Sequence, residues 1–106
     1  RAISCINSPR KKFESCLLSL IEKNKDNQTV PGTKFYYSSI HLQVAGLMAI
    51  KARGVNSWQD LFSEFQSQTG LFLNSSYDLP SKLNPRLAGG MHYTGKDYSD
   101  FLRVYY

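Results

Sequence analysis

Ile40-His41-Leu42-Gln43-Val44-Ala45-Gly46-Leu47-Met48-Ala49-Ile50-Lys51-Ala52-Arg53-Gly54 is the stretch whose rhythm decides the fold class. Ile40, Val44, Leu47 and Met48 recur at helical spacing, and Ala45, Gly46 and Ala49 are small enough to let a neighbouring element come close. Gly54 marks the end of the predicted helix. Upstream, Ser8 followed by Pro9 reads as a cap and first helical residue, and Phe13, Cys16, Leu17, Leu20 and Ile21 then form another apolar stripe. Asn24, Asp26 and Asn27 compete for backbone hydrogen bonds and end that helix before Pro31-Gly32 turns the chain. Downstream, Ser57 with Asp60 opens a third helix with Trp58, Leu61, Phe62 and Phe65 on its apolar face, and Gly70 stops it. Leu71 to Pro85 carries loop chemistry, rich in Asn, Ser, Asp and Pro. Thr94 with Asp97 then caps a fourth helix whose stripe is Tyr98, Phe101, Leu102 and Tyr105. The reading is a mainly α chain, residues 1–106 forming a single segment without repeats or low-complexity tracts.

At 106 residues, 42% apolar and 20% charged, the chain is one globular domain or a piece of one, and not a disordered tail. No run of about 18 apolar residues exists, which excludes a spanning helix. The polar first residues lack the apolar run of a signal peptide, and a soluble chain is expected. Arg1 is not a methionine and the last helical rhythm runs to Tyr106 without a stop signal, so both ends read as cut. Cys5 and Cys16 are too few for a disulfide-stapled scaffold and lack the companions of a zinc site; Cys16, on the first stripe, reads as a small buried apolar side chain. No metal and no cofactor are predicted. The net charge of +5 favours anionic partners only weakly, because Arg10, Lys11 and Lys12 form the one dense basic run and a solvated face is its ordinary meaning. Nothing in that pattern indicates nucleic acid.

Gly90 to Lys96 has the spacing of a phosphate-binding loop, but Asp97 stands where a hydroxyl must reach magnesium, and no apolar strand precedes it. His41 and His92 are the only histidines, and catalytic work would require either to meet a Ser or Cys and an orienting acid. Tyr37 sits at the loop-to-helix junction, in Pro31-Gly32-Thr33-Lys34-Phe35-Tyr36-Tyr37-Ser38-Ser39.

That run, leading into an apolar helix with the Ala45-Gly46 pair, resembles the second motif of the serine β-lactamase and penicillin-binding-protein superfamily. The branch it is most similar to holds the class C β-lactamases and related esterases and D-aminopeptidases. Arg53-Gly54 and Ser57-Trp58-Gln59-Asp60-Leu61-Phe62 resemble the family's next helix. Asn84-Pro85-Arg86-Leu87-Ala88-Gly89-Gly90-Met91, with Thr94, Asp97-Tyr98 and Phe101-Leu102, resembles its Gly-rich cleft wall and following helix. Thr69-Gly70-Leu71 departs from the usual Pro-Leu-Gly-Met-like segment. The resemblance implies the helical part of an α/β, β-lactamase-like (DD-peptidase) fold, with an extracytoplasmic location.

It also implies that Tyr37 is the phenol sharing protons with nucleophile and leaving group, and Ser39 the polar third position. Gly89, Gly90, Met91 and His92 would form the substrate-cleft wall. A free phenol titrates near 10, so that role calls for a neighbouring ammonium. Ser8-Pro9-Arg10-Lys11 has the spacing of the nucleophile motif but lies at a basic, exposed helix start with Pro inside it, and Thr94-Gly95-Lys96 holds the third motif's letters in the wrong order. The implied partner is therefore the remainder of the same enzyme, supplying Ser-x-x-Lys and a closing strand, and the substrate a small-molecule or peptide amide, ester or β-lactam. By itself the chain is not expected to catalyse. The competing reading is a stand-alone, non-enzymatic helical module that binds an anionic partner through Arg10, Lys11 and Lys12.

Overall fold

A computed structural model describes residues 5–105. The elements are α1 (Phe13–Asn24), α2 (Ile40–Arg53), α3 (Trp58–Thr69), β1 (Ser76–Tyr77), β2 (Met91–His92) and α4 (Gly95–Tyr105). The chain is mainly helical, as its apolar rhythm predicts. Its strands form one short antiparallel ladder, Ser76 opposite His92 and Tyr77 opposite Met91, so among the described residues there is no sheet on which an α/β fold could be built. The side chain of Tyr105 and the readings made at Arg1 and Tyr106 lie outside the described residues.

The first helix begins later than Ser8-Pro9 suggests. Residues 5–10 form turns instead, with the Ser8 N–H donating to Cys5 O and the Lys11 N–H to Ser8 O. Those turns are held from outside. The Asn84 amide donates to Cys5 O and Ser8 O at 2.8 and 2.9 Å, and the Ser81 hydroxyl to Pro9 O at 2.8 Å, bonds that a helix would have withdrawn. The fold-back brings Cys5 to α1, where it forms a disulfide with Cys16. The expectation of a free, merely apolar Cys16 is thereby corrected: the side chain is buried, and it is cross-linked. At the other end of α1, the Asn24 amide donates to Leu20 O at 2.8 Å, the backbone competition that its sequence position predicts.

Phe13 and Leu17 of α1 pack on Leu47 and Ile50 of α2, with Val44, Val55, Trp58, Leu61 and Leu87 around them; Ile6, Cys16 and Leu20 form a second, smaller cluster. Each such side chain, once buried, contributes about 1.5–3 kcal/mol. The buried face of α2 is turned from the predicted one: Gln43, Gly46, Leu47 and Ile50 are inside, and Met48 is 66% exposed. Gly54 ends α2 in the left-handed conformation, with its N–H on Ile50 O and Lys51 O. Ser57 caps α3 by accepting the Asp60 N–H at 3.1 Å, and Gly70 closes it. Thr94 caps α4 through the Asp97 N–H at 3.0 Å. The Asp97 carboxylate, buried, accepts from the Asn74 N–H and the Ser75 hydroxyl, fastening the loop after α3 to α4.

Candidate functional site

Pro31-Gly32 makes the expected turn, closed by the Thr33 N–H and hydroxyl on Val30 O at 3.2 and 2.6 Å, with Gly32 at φ 82°. From Lys34 the chain runs without helix or ladder to α2. Lys34, Tyr36 and Ser38 line a groove of about 670 Å³ against Leu20, Ile21 and Asn24 of α1. Phe35 and Tyr37, the alternate residues, line none of it and are 87% and 90% exposed. At the start of α2, it is the Ser38 hydroxyl that accepts the Ile40 N–H, at 3.2 Å; the exposed Ser39 occupies the cap position without a side-chain cap bond. Ser39 O accepts the Leu42 and Gln43 N–H groups, while the side chains of Tyr37 and Ser39 make no hydrogen bond among the described residues.

Four residues beyond Ser39, one helical turn, Gln43 is almost fully buried and reaches the other candidate segment. Its amide nitrogen donates to Pro85 O at 3.2 Å, and its amide oxygen accepts the Leu87 N–H at 2.5 Å. One turn on, Gly46 lets the Leu87 side chain lie against the helix; a Cβ there would overlap Leu87 Cδ1 and stand 3.6 Å from Phe13 Cζ. The small Ala45-Gly46 pair was legible as a close approach, and this is the neighbour that takes it. Asn84 and Gly90 then hold the segment's shape. A Cβ on Gly90 would overlap the carbonyl oxygens of Leu79 and Arg86, and Gly89 adopts φ 92°, so neither position accepts a side chain freely.

Met91 and His92 follow as β2, with Met91 half-buried and His92 exposed. His92 Nδ1 lies 2.8 Å from Asp78 Oδ1, a contact that orients the ring and leaves Nε2 as its unengaged nitrogen. Gly89, Gly90, Met91 and His92 are therefore one continuous segment, and Tyr37 and Ser39 belong to another. No hydrogen bond joins the two among the described residues. What links them is α2, which carries Ser39 at its first turn and grips Pro85 and Leu87 at its second.

Gln43 and Asn84, the residues that fix this arrangement, were not singled out from the sequence. Their only signal is a polar amide on an apolar stripe and an Asn before Pro in a loop. His41 is exposed. Arg10, Lys11 and Lys12 are exposed and make no ion pair among the described residues. No cluster of three or more His, Cys, Asp or Glu able to hold a metal occurs among the described residues, and no helix is long and apolar enough to cross a membrane.

Shifted titrations lie elsewhere. Its hydrogen bond to Arg53 holds the Glu64 carboxyl below the usual range, and the same contact raises the Arg53 guanidinium. Lys96 and Arg103 hold Asp100 below it too, and burial pushes the Tyr77 phenol up. Neither a protein-family model, nor a curated protein, nor a solved structure matches this chain.

Proposed function

We propose that this chain is the helical half of a serine acyl-transfer enzyme of the β-lactamase and penicillin-binding-protein type. The observation that carries the reading is the Gln43 clamp. Two segments that resemble the family's motifs, Tyr37-Ser38-Ser39 and Asn84 to Met91, are more than 40 residues apart, yet they are anchored on consecutive turns of one helix. In this account a Ser-x-x-Lys pair and a closing strand arrive with the rest of the polypeptide. The serine oxygen attacks an amide, ester or β-lactam carbonyl, Tyr37 passes the proton to the leaving group, Ser39 holds the lysine or substrate, and water releases the acyl group.

The exposed surface supports a missing half. The chain exposes 7822 Å², where a folded monomer of this mass exposes about 6,000 Å². Large apolar and aromatic side chains are exposed at the motif: Val30, Phe35, Tyr36 and Tyr37 are each at least 70% exposed. The module reading, with its exposed basic run at residues 10–12, leaves that aromatic surface without a purpose.

The test is covalent. The natural full-length polypeptide carrying this chain is treated with a fluorescent penicillin and with a fluorophosphonate, and labelling of a single serine is the expected result. Folded protein that takes neither label contradicts the assignment.

A further inference from the structure

The groove beside residues 34–38, about 670 Å³, lies outside the chemistry assigned to Tyr37, which lines none of it. Its volume falls within the range of small-molecule sites. Leu17, Leu20, Ile21 and Asn24 stand at i, i+3, i+4 and i+7 of α1 and form one wall, about 10 Å long. Ile40 and Val44, one turn apart on α2, line it as well. Ile40 packs on the cluster that contains Leu20, and Val44 on the cluster that contains Leu17, so hydrocarbon floors the groove from one cluster to the other. Polar groups enter from the loop after α1 and from the extended run, at Asn27, Thr29, Lys34 and Tyr36.

Charge decides what the groove accepts. Lys34 is the one charged residue in its lining, and no acidic side chain accompanies it. The exposed Lys34 ammonium makes no ion pair among the described residues, whereas Lys25, near the same end of α1, is held by Glu22 at 2.6 Å. The Asn27 amide, the Thr29 hydroxyl and the Tyr36 phenol each carry a neutral donor. An acid with a thin apolar tail therefore meets complementary surface along its whole length, and a cation with the same tail meets like charge at Lys34.

We infer that the groove binds a free, unbranched fatty carboxylate, its tail along Leu20, Ile21, Ile40 and Val44 and its carboxylate at Lys34. The site goes beyond the acyl-transfer reading, and neither depends on the other. The 106-residue chain and the natural full-length polypeptide are each titrated calorimetrically with dodecanoate below its micelle concentration. One-to-one saturation is expected in both. In methyl and indole NMR spectra of the 106-residue chain, the resonances of Leu20, Ile21, Ile40 and Val44 move and that of Trp58 does not. Dodecyltrimethylammonium, with the same tail and the opposite charge, binds more weakly than dodecanoate. Ile21→Trp puts a large ring on the exposed part of the α1 wall and weakens dodecanoate binding by about tenfold. Lys34→Glu weakens it by roughly fivefold, the modest effect of an exposed charge pair. Circular dichroism shows both variants folded. Lys11→Glu, equally exposed but outside the groove, leaves the affinity unchanged.

Binding that does not saturate, that Lys11→Glu weakens as much as Lys34→Glu, or that moves Trp58 instead of the groove methyls overturns the inference. Binding by the 106-residue chain that the full-length polypeptide lacks overturns it too. Adsorption to phosphatidylglycerol vesicles without saturable dodecanoate binding makes this face a membrane contact and refutes the fatty-acid site. A full-length protein that binds dodecanoate but takes neither covalent label refutes acyl transfer alone; one that takes a label and binds no dodecanoate refutes the groove alone.

Discussion

Replacing Gln43 by Met keeps the length of the side chain and removes both of its hydrogen bonds to the 85–87 backbone. Gln43 and Pro85 are each among the most deeply buried residues, so water cannot take over at the vacated carbonyl of Pro85. A buried group left without its partner costs about 1–3 kcal/mol. Two are orphaned here, Pro85 O and the Leu87 N–H, and the added apolar contact of Met recovers part of the loss. The net destabilisation expected is about 2–4 kcal/mol, a large share of the roughly 5–15 kcal/mol that holds a domain folded. Urea unfolding followed by far-UV circular dichroism measures it, and amide exchange at Leu87 locates it. Gln43→Glu sharpens the test, because it retains an acceptor for Leu87 but buries a charge and loses the donor to Pro85. Its penalty is largest at neutral pH and shrinks as the pH falls and the carboxyl gains a proton to donate. A Met variant within about 0.5 kcal/mol of wild type, with Leu87 exchange unchanged, refutes the clamp.

Gly46→Ala drives a methyl into Leu87; overpacking of about 1–3 kcal/mol outweighs the helix propensity gained, and a lowered urea midpoint is expected. Opening the Cys5–Cys16 link by the paired change Cys5→Ser and Cys16→Ser frees a loop with a sequence separation of 11, at a cost of about 3 kcal/mol read from the unfolding midpoint. Glu64 is held ionised by Arg53, so its contribution exists above the ordinary carboxyl range and disappears as the pH falls through its lowered value. Glu64→Gln is therefore less stable than wild type at neutral pH and indistinguishable from it near pH 2, as thermal unfolding at the two pH values will show.

The helices were legible because their signals are local. Ser57 with Asp60, Thr94 with Asp97, Gly54 and Gly70 act through backbone bonds within one turn, and each performs as its residue type dictates. The start of α1 was not legible, since Ser8-Pro9 is a sound cap by itself and only Asn84, some 76 residues away, holds it in a turn. The disulfide was hidden for the same reason: a helix beginning at Pro9 gives Cys5 no path back to Cys16. The face of α2 was misjudged because apolar periodicity places Met48 inside and has no means of valuing Gln43, whose burial depends on two backbone partners in a distant loop. The β ladder escaped notice because strands of two residues carry no period. At the candidate site, the close approach at Ala45-Gly46 could be read from the small residues, whereas the amides of Gln43 and Asn84 that fasten the 84–90 segment could not.

The most direct test of the central claim is the turnover of Tyr37→Phe in the natural full-length protein. The ring remains and only the hydroxyl goes, and Tyr37 is so exposed in this chain that folding is spared. The account predicts hydrolysis slowed by about 10²–10⁴-fold, with an unchanged unfolding midpoint. Wild-type turnover in that variant contradicts it and leaves Tyr37 as an exposed aromatic with no part in the chemistry.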